Sequence, residues 1–263
     1  HANKYTLLVN TREIVNKYNE MIKLITTAKK ITVLTGAGIS TESGLPDFRS
    51  TDGFWTKNKP IQFQDYLDNE EQQRLSWSRN IELHKILKEI NPNIGHTFVE
   101  KSINLKNKEN FLITQNIDGL HQRSGVPKDK IIEIHGNATE ARCLNCGEKA
   151  NILDFHAAIK TNNPLPKCSN CGGLVKVATI SFGQPMNEND MLQASNISSQ
   201  CDLMIVMGSA LSVMTDGQIP NLAFKSGAKI VILNREETIY DAMANIVIND
   251  ELKIICKELI KLI

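Results

Sequence analysis

Apolar residues fall at Ile14, Tyr18, Met21, Ile22 and Ile25, the i, i+4, i+7, i+8, i+11 spacing of one buried helix face. An amphipathic helix is therefore expected over residues 11–29. The period then changes: residues 31–35 (ITVLT) form a short β-branched apolar run that stops at Gly36-Ala37-Gly38. A strand running into a glycine turn is how dinucleotide-binding β-α units begin. Similar runs recur at residues 111–114 (FLIT), 131–134 (IIEI), 203–207 (LMIVM), 229–233 (KIVIL) and 246–248 (IVI), with helical stretches between several of them. Strands that are apolar throughout and alternate with helices predict the α/β class, here a Rossmann-like parallel sheet with helices on both faces.

Two stretches interrupt the alternation. Residues 50–92 are polar and helical in pattern, and residues 140–178 carry two C-x-x-C pairs together with Pro164, Pro166 and Gly172-Gly173. Both are expected to be insertions that form a smaller helical and zinc-ribbon domain. Residues 11–49, 93–139 and 179–263 then make up one discontinuous nucleotide-binding domain.

Composition narrows the class without deciding it. The 263 residues are 41% hydrophobic and 22% charged, which suits a globular protein and disfavours disorder, collagen and coiled coil. Thirty basic against 29 acidic residues give a net charge of +1, so no whole-chain basic field points to nucleic acid. No apolar run approaches the ~20 residues of a membrane span, and the opening residues lack the order of a signal peptide. A cytoplasmic protein is the expectation.

Cys143-x-x-Cys146 and Cys168-x-x-Cys171 can close a tetrahedral four-thiolate zinc site, with glycines after each pair permitting the tight turns such sites need. A zinc with four protein ligands cannot activate water, so its expected role is structural. Gly36-Ala37-Gly38-Ile39-Ser40 resembles part of a dinucleotide fingerprint, in which phosphate approaches amides at a helix start. A third glycine would fall at Thr41, and a purely structural turn accounts for the same residues. Gln115, Asn116 and Asp118 follow a strand, where open α/β sheets place ligands, and suit a ribose or a carboxamide; a polar turn with an Asp cap is the plain alternative. His135, in Glu133-Ile134-His135-Gly136, also ends a strand and suits a general base, although a lone histidine there also serves structure.

Taken in order, TGAGIS, SGLPDFRS, GFW, TQNIDGLH, EIHG, the two cysteine pairs, SFGQ, MGSALSV and the late Asn234 resemble the sirtuins, the NAD-dependent protein deacylases, from about residue 20 onward. The resemblance implies NAD as co-substrate, structural Zn2+, and an acyl-lysine protein or peptide as partner. It implies that Gly36, Ala37 and Gly38 lie along the pyrophosphate with Ser40 and Glu42 nearby, and that Asp47, Phe48 and Arg49 belong to a cofactor loop. Gln115, Asn116, Ile117 and Asp118 would surround the nicotinamide and its ribose. Gly208, Ser209, Asn234, Arg235 and Glu236 would surround the adenosine half. Ser181, Phe182 and Gly183 would present backbone to a substrate strand, and His135 would be the base, with Asn116 beside it. The implied reaction is group transfer: the acyl group leaves lysine for ADP-ribose, giving free lysine, nicotinamide and O-acyl-ADP-ribose. Mono-ADP-ribosyl transfer from the same NAD site is the competing reaction. Gln184 stands where the family has Glu, and Ala210 where it has a hydroxyl residue. No Tyr-x-x-Arg pair stands near Trp77, so acetyl or a longer neutral acyl group is expected over an acidic one.

Overall fold

The structure, a computed structural model, describes residues 2–45, 59–212 and 214–263; of these, the side chains of 2–11 and 214–217 lie outside the description. Asp47, Phe48 and Arg49 therefore fall outside the described residues.

The chain opens with α1 (Ala2–Thr27), which begins earlier than its apolar stripe suggests. β1 (Ile31–Thr35) follows and becomes the third strand of a six-stranded sheet. Its neighbours are β2 (Phe111–Thr114) and, far along the chain, β7 (Leu203–Met207). β3 (Ile131–Glu133) flanks β2, and β8 (Lys229–Leu233) and β9 (Ile246–Ile248) extend the other side, giving the order β3-β2-β1-β7-β8-β9 with every pairing parallel.

Strand side chains alternate between the two faces of the sheet. Val33, Ile205 and Val231 enter one apolar cluster with Met21 and Ile25 of α1, Phe98 of α4 (Ile94–Ile103) and Ile255 of α9 (Leu252–Ile260). Leu34, Met204, Val206 and Ile232 enter the other, with Ala194 of α7 (Glu188–Gln200) and Ala223 of α8 (Met214–Lys225). Because helices cover both faces, the central strands carry no solvent-facing polar positions, which is why they read as unbroken apolar runs.

A second sheet of three antiparallel strands, β5-β4-β6, is built from β4 (Gly136–Cys143), β5 (Lys149–Ala150) and β6 (Val175–Thr179). Around it lie α2 (Phe63–Asp68), α3 (Glu70–Glu89) and α6 (Ile152–Lys160). Trp77 of α3 is fully buried, stacks on Phe155 of α6 at 4.2 Å, and shares an apolar cluster with Cys143, Cys168 and Val175. Residues from the two interrupting stretches thus share one small core. The remaining short helix, α5 (Leu120–Arg123), follows the loop after β2.

Candidate active site

In a parallel sheet all strands end on the same edge, and here those ends carry the residues singled out by their chemistry. Across the sheet the loops after β3, β2, β1, β7 and β8 bring His135, Gln115, the Gly36-Ala37-Gly38 turn, Gly208-Ser209 and Asn234 into a row. Four strand spacings of ~4.8 Å make that row about 19 Å long, the reach of an extended dinucleotide and not of a compact metabolite.

A cavity of about 710 Å³ runs along the row, within the usual range for small-molecule sites. Ala37, Gly38, Gln115, Asn116 and Ile117 line it, as do His135, Ser181 and Phe182. Gly208, Ser209, Asn234, Arg235 and Glu236 line the remaining stretch. Gly36, Ser40, Glu42, Asp118 and Gly183 are not on its wall.

The glycines of the two central turns interlock. A Cβ on Gly38 would lie 2.8 Å from the Gly208 carbonyl oxygen, and one on Gly208, where φ is 62°, would lie 2.5 Å from the Ile39 nitrogen. The turn is therefore held by backbone against backbone, with Gly38 donating to the Gly208 carbonyl at 2.8 Å. Among the described residues, the Ala37 and Ser209 amides have no internal acceptor, and both residues line the cavity. Gln115 adds a donor: its Oε1 accepts from the Ser209 hydroxyl at 3.0 Å, while its buried Nε2 has no partner among the described residues. A buried donor without an acceptor is costly, so unpaired donors along this row fit a ligand rich in phosphate and hydroxyl oxygens, such as NAD.

His135 is half-buried, and its Nδ1 lies 3.0 Å from the Gln115 carbonyl oxygen. A carbonyl only accepts, so Nδ1 carries the proton and, in the neutral ring, Nε2 is the basic nitrogen. The ring is set by its backbone as well: Ile180 donates to the His135 carbonyl at 2.9 Å.

Behind the wall lies a buried polar network. The Ser40 hydroxyl donates to Asp118 Oδ2 at 2.7 Å and accepts from Asn116 Nδ2 at 3.3 Å. Burial pushes the Asp118 carboxyl above the usual carboxylate range, opposed by the Leu120 N–H and the Ser40 hydroxyl. His96 Nδ1 accepts from the Asn93 amide at 3.1 Å, which leaves its proton on Nε2, 3.5 Å from Ser40 Oγ. His121 Nε2 lies 2.9 Å from Thr35 Oγ1, whose own proton goes to Thr114 Oγ1 at 2.8 Å. Loss of hydration holds the His96 ring down to about 4 and the His121 ring well below its ordinary value. Ser40 and Asp118 thus brace Asn116 from behind. Thr35 and Thr114 join them from the first positions of TGAGIS and TQNIDGLH, and Asn93 from a position that no such motif marks.

At the opposite wall, Ser181 donates its N–H to Gln184 Oε1 at 3.0 Å and accepts from the Gln184 N–H at 3.0 Å. The Phe182 carbonyl accepts from Phe63 at 2.8 Å. Of the three residues expected to offer backbone, Gly183 is the one whose N–H and C=O have no internal partner among the described residues.

The four sulfurs of Cys143, Cys146, Cys168 and Cys171 lie within 4.8 Å of one another. The Cys143–Cys171 and Cys146–Cys168 separations are 3.5 and 3.6 Å, far beyond a disulfide and close to the ~3.8 Å edge of a tetrahedron with 2.3 Å zinc–sulfur bonds. The Asn145 amide points at the Cys143 sulfur at 3.4 Å, the kind of donor that stabilises a metal-bound thiolate. The donor set fits zinc.

The Sir2 family model matches residues 36–215. An NAD-dependent protein deacetylase of Bradyrhizobium diazoefficiens is 42% identical over 229 residues, covering 87% of this chain and 89% of its own. One of Thermodesulfovibrio yellowstonii is 33% identical over 97% of each chain. A solved structure of Sir2 with a p53 peptide and NAD+ superposes with a TM-score of 0.77 at 31% identity, covering 92% of this chain and 96% of that one. Motif order, sheet topology, cysteine cluster and sequence identity converge, and the chain belongs to the Sir2 family.

Proposed function

We propose that this chain is an NAD-dependent protein lysine deacylase that passes the acyl group of a modified lysine to ADP-ribose and releases nicotinamide. The observation that carries the reading is the His135 geometry: a ring whose Nδ1 is committed to the Gln115 carbonyl, leaving Nε2 as the basic nitrogen, at one end of a cavity built for an extended dinucleotide. NAD bound there supplies an electrophilic anomeric carbon once its bond to nicotinamide breaks.

The chain's own residues do the rest. The Ala37 and Ser209 amides and the glycine turns at 36, 38 and 208 hold the pyrophosphate, and Asn234, Arg235 and Glu236 hold the adenosine half. Gln115 Nε2 donates to the ribose or carboxamide, and Asn116, kept in place by Ser40 and Asp118, works beside it together with Ile117. His135 Nε2 takes a proton from a ribose hydroxyl and so readies that oxygen to receive the acyl carbon. Gly183 receives the substrate backbone, flanked by Ser181 and Phe182, as an added strand. Glu42 belongs to the same cofactor reading, as do Asp47, Phe48 and Arg49 by motif resemblance alone, since they lie outside the described residues. Zinc on the four cysteines is structural, and the division into a discontinuous nucleotide-binding domain (11–49, 93–139, 179–263) and a smaller one (50–92, 140–178) belongs to the same reading. Reduced thiols for zinc suit the cytoplasm; among the described residues no helix is long and apolar enough to cross a membrane.

The test follows nicotinamide release and peptide mass with acetyl-lysine peptide, unmodified peptide and no peptide. Release that requires the acetyl group, with one acetyl lost per event, is expected. Release independent of the acetyl group, or ADP-ribose mass gained by a protein, would replace the reading with hydrolase or ADP-ribosyltransferase activity.

A further inference from the structure

β3 ends at Glu133, two residues before His135. The Glu133 carboxylate is half-buried, and among the described residues no lysine or arginine pairs with it. Its Oε1 accepts instead from two neutral amides, Gln122 Nε2 and Asn137 Nδ2, each at 2.8 Å. Burial pushes its carboxyl above the usual range, and Glu140 and Asp118 push the same way against the two amides. A carboxylate kept in such surroundings is expensive.

Its partners explain what the arrangement secures. Gln122 lies on α5, which continues from the loop carrying Gln115, Asn116 and Asp118. Asn137 lies just past the His135-Gly136 turn, and its Oδ1 is taken by the Thr139 N–H at 2.7 Å and the Thr139 hydroxyl at 2.6 Å, which aims Nδ2 at Glu133. Both amides therefore belong to the two segments that meet at the His135 Nδ1 contact with the Gln115 carbonyl. That contact fastens the segments on the cavity side, backbone bonds from Ile134 to the Thr114 carbonyl at 3.1 Å and from Ala138 to the Ile117 carbonyl at 2.8 Å run beside it, and Glu133 adds a side-chain tie through Gln122 and Asn137. Gly136 cannot absorb slack between the two, because its backbone runs at φ 78° and even a Cβ would meet the Ala178 carbonyl oxygen.

We propose that Glu133 is a positioning residue for His135: by joining the segment after β2 to the segment after β3, its carboxylate holds the imidazole aligned on the Gln115 carbonyl and Nε2 aimed at the proton it removes. The inference rests on His135 being the base. It separates two activities of the same site, because exchange of free nicotinamide into NAD needs the bound dinucleotide and acyl-lysine but not the base, whereas deacylation needs all three.

The experiment compares Glu133→Leu, Glu133→Gln and His135→Ala for acetyl-lysine removal, nicotinamide exchange and KM for NAD. Glu133→Leu is expected to lower deacylation kcat by about 10- to 100-fold, the cost of a misplaced group, with exchange and KM for NAD held within about threefold. Glu133→Gln, whose Oε1 can still accept from both amides, should recover most of the loss. Should Glu133→Leu not fold, Gln122→Met and Asn137→Ala each remove one of the two bonds and are expected to show the same split. Deacylation and exchange falling together, deacylation unchanged, or Gln as damaging as Leu would each overturn the positioning role. Full deacylation by His135→Ala would instead overturn the base assignment, whatever the Glu133 variants do.

Discussion

A methyl group at position 136 would lie 1.9 Å from the Ala178 carbonyl oxygen, on a backbone that only glycine adopts easily. Gly136→Ala must move β4 away from β6 or abandon the turn that carries His135. It is expected to lower unfolding free energy by at least about 2 kcal/mol, read as a shift in urea midpoint, and to remove deacylation; a midpoint within experimental scatter of the parent would contradict the close approach. Gln115 offers the complementary case. Its buried Nε2 has no partner among the described residues, so Gln115→Leu relieves an unpaired donor, at the cost of the bond from the Ser209 hydroxyl, while removing a ligand contact. That substitution should leave stability unchanged or slightly higher and raise KM for NAD by about tenfold or more; reduced stability with normal KM would show that the side chain serves the fold and not the dinucleotide.

Among the elements, the zinc-bearing sheet is the clearest case of a part whose integrity depends on something beyond its apolar contacts. β4 and β6 are joined at one end by the four cysteines, and Trp77 and Phe155 stack beneath them. Stripping metal with a strong chelator is expected to expose Trp77, seen as a red shift and loss of emission, and to abolish deacylation, with both restored by added zinc; unchanged emission in metal-free protein would contradict a structural metal. This sheet also shows where pattern reading stops. The strands of the large sheet were legible because burial on both faces leaves them uniformly apolar. β4 (GNATEARC) mixes buried and exposed positions with a register shift between Gly136 and Ala141, and β6 contains the buried Lys176, whose Nζ donates to the Val177 and Thr179 carbonyls. β4 lacks the period of a strand, and the alternation of Val175, Val177 and Thr179 in β6 spans only five residues, so the cysteine spacing was what announced the module. The cavity wall divides the same way. His135 and Gln115 stand out because they end apolar runs, but Ser40, Asn93, His96 and His121 meet only through the fold, and nothing in their spacing says so.

Across the whole molecule, the buried histidines set how stability responds to acid. The native state withholds a proton from His96 until about pH 4, whereas the unfolded chain accepts it near 6.5; His156 is held down similarly, and His121 lies well below its ordinary value. Protons then bind preferentially to the unfolded chain, so the His96 contribution is complete above about pH 6.5 and is lost as pH falls toward 4, on the order of 3 kcal/mol in all. Asp118 and Glu133, with raised values, act in the opposite sense as pH falls through their own range. Urea midpoints at about pH 7.5 and about pH 5 should therefore differ more for the parent than for His96→Asn, and equal differences would refute the assignment. One further consequence comes from the central strand. β1 is hydrogen-bonded on one side to β2, through contacts such as Thr35 to Thr114 that are 79 residues apart. Its other side belongs to β7, and beside that pairing the Lys30 amide reaches the Asp202 carboxylate across 172 residues. During synthesis the first strand leaves the ribosome long before its second neighbour exists, and the Gly36–Gly38 turn that follows it has no Gly208 carbonyl to donate to until that neighbour arrives. Closing so long a loop is slow, so the nascent chain passes a period with an open, apolar strand edge, and the dinucleotide cavity is among the last parts of the molecule to come into being.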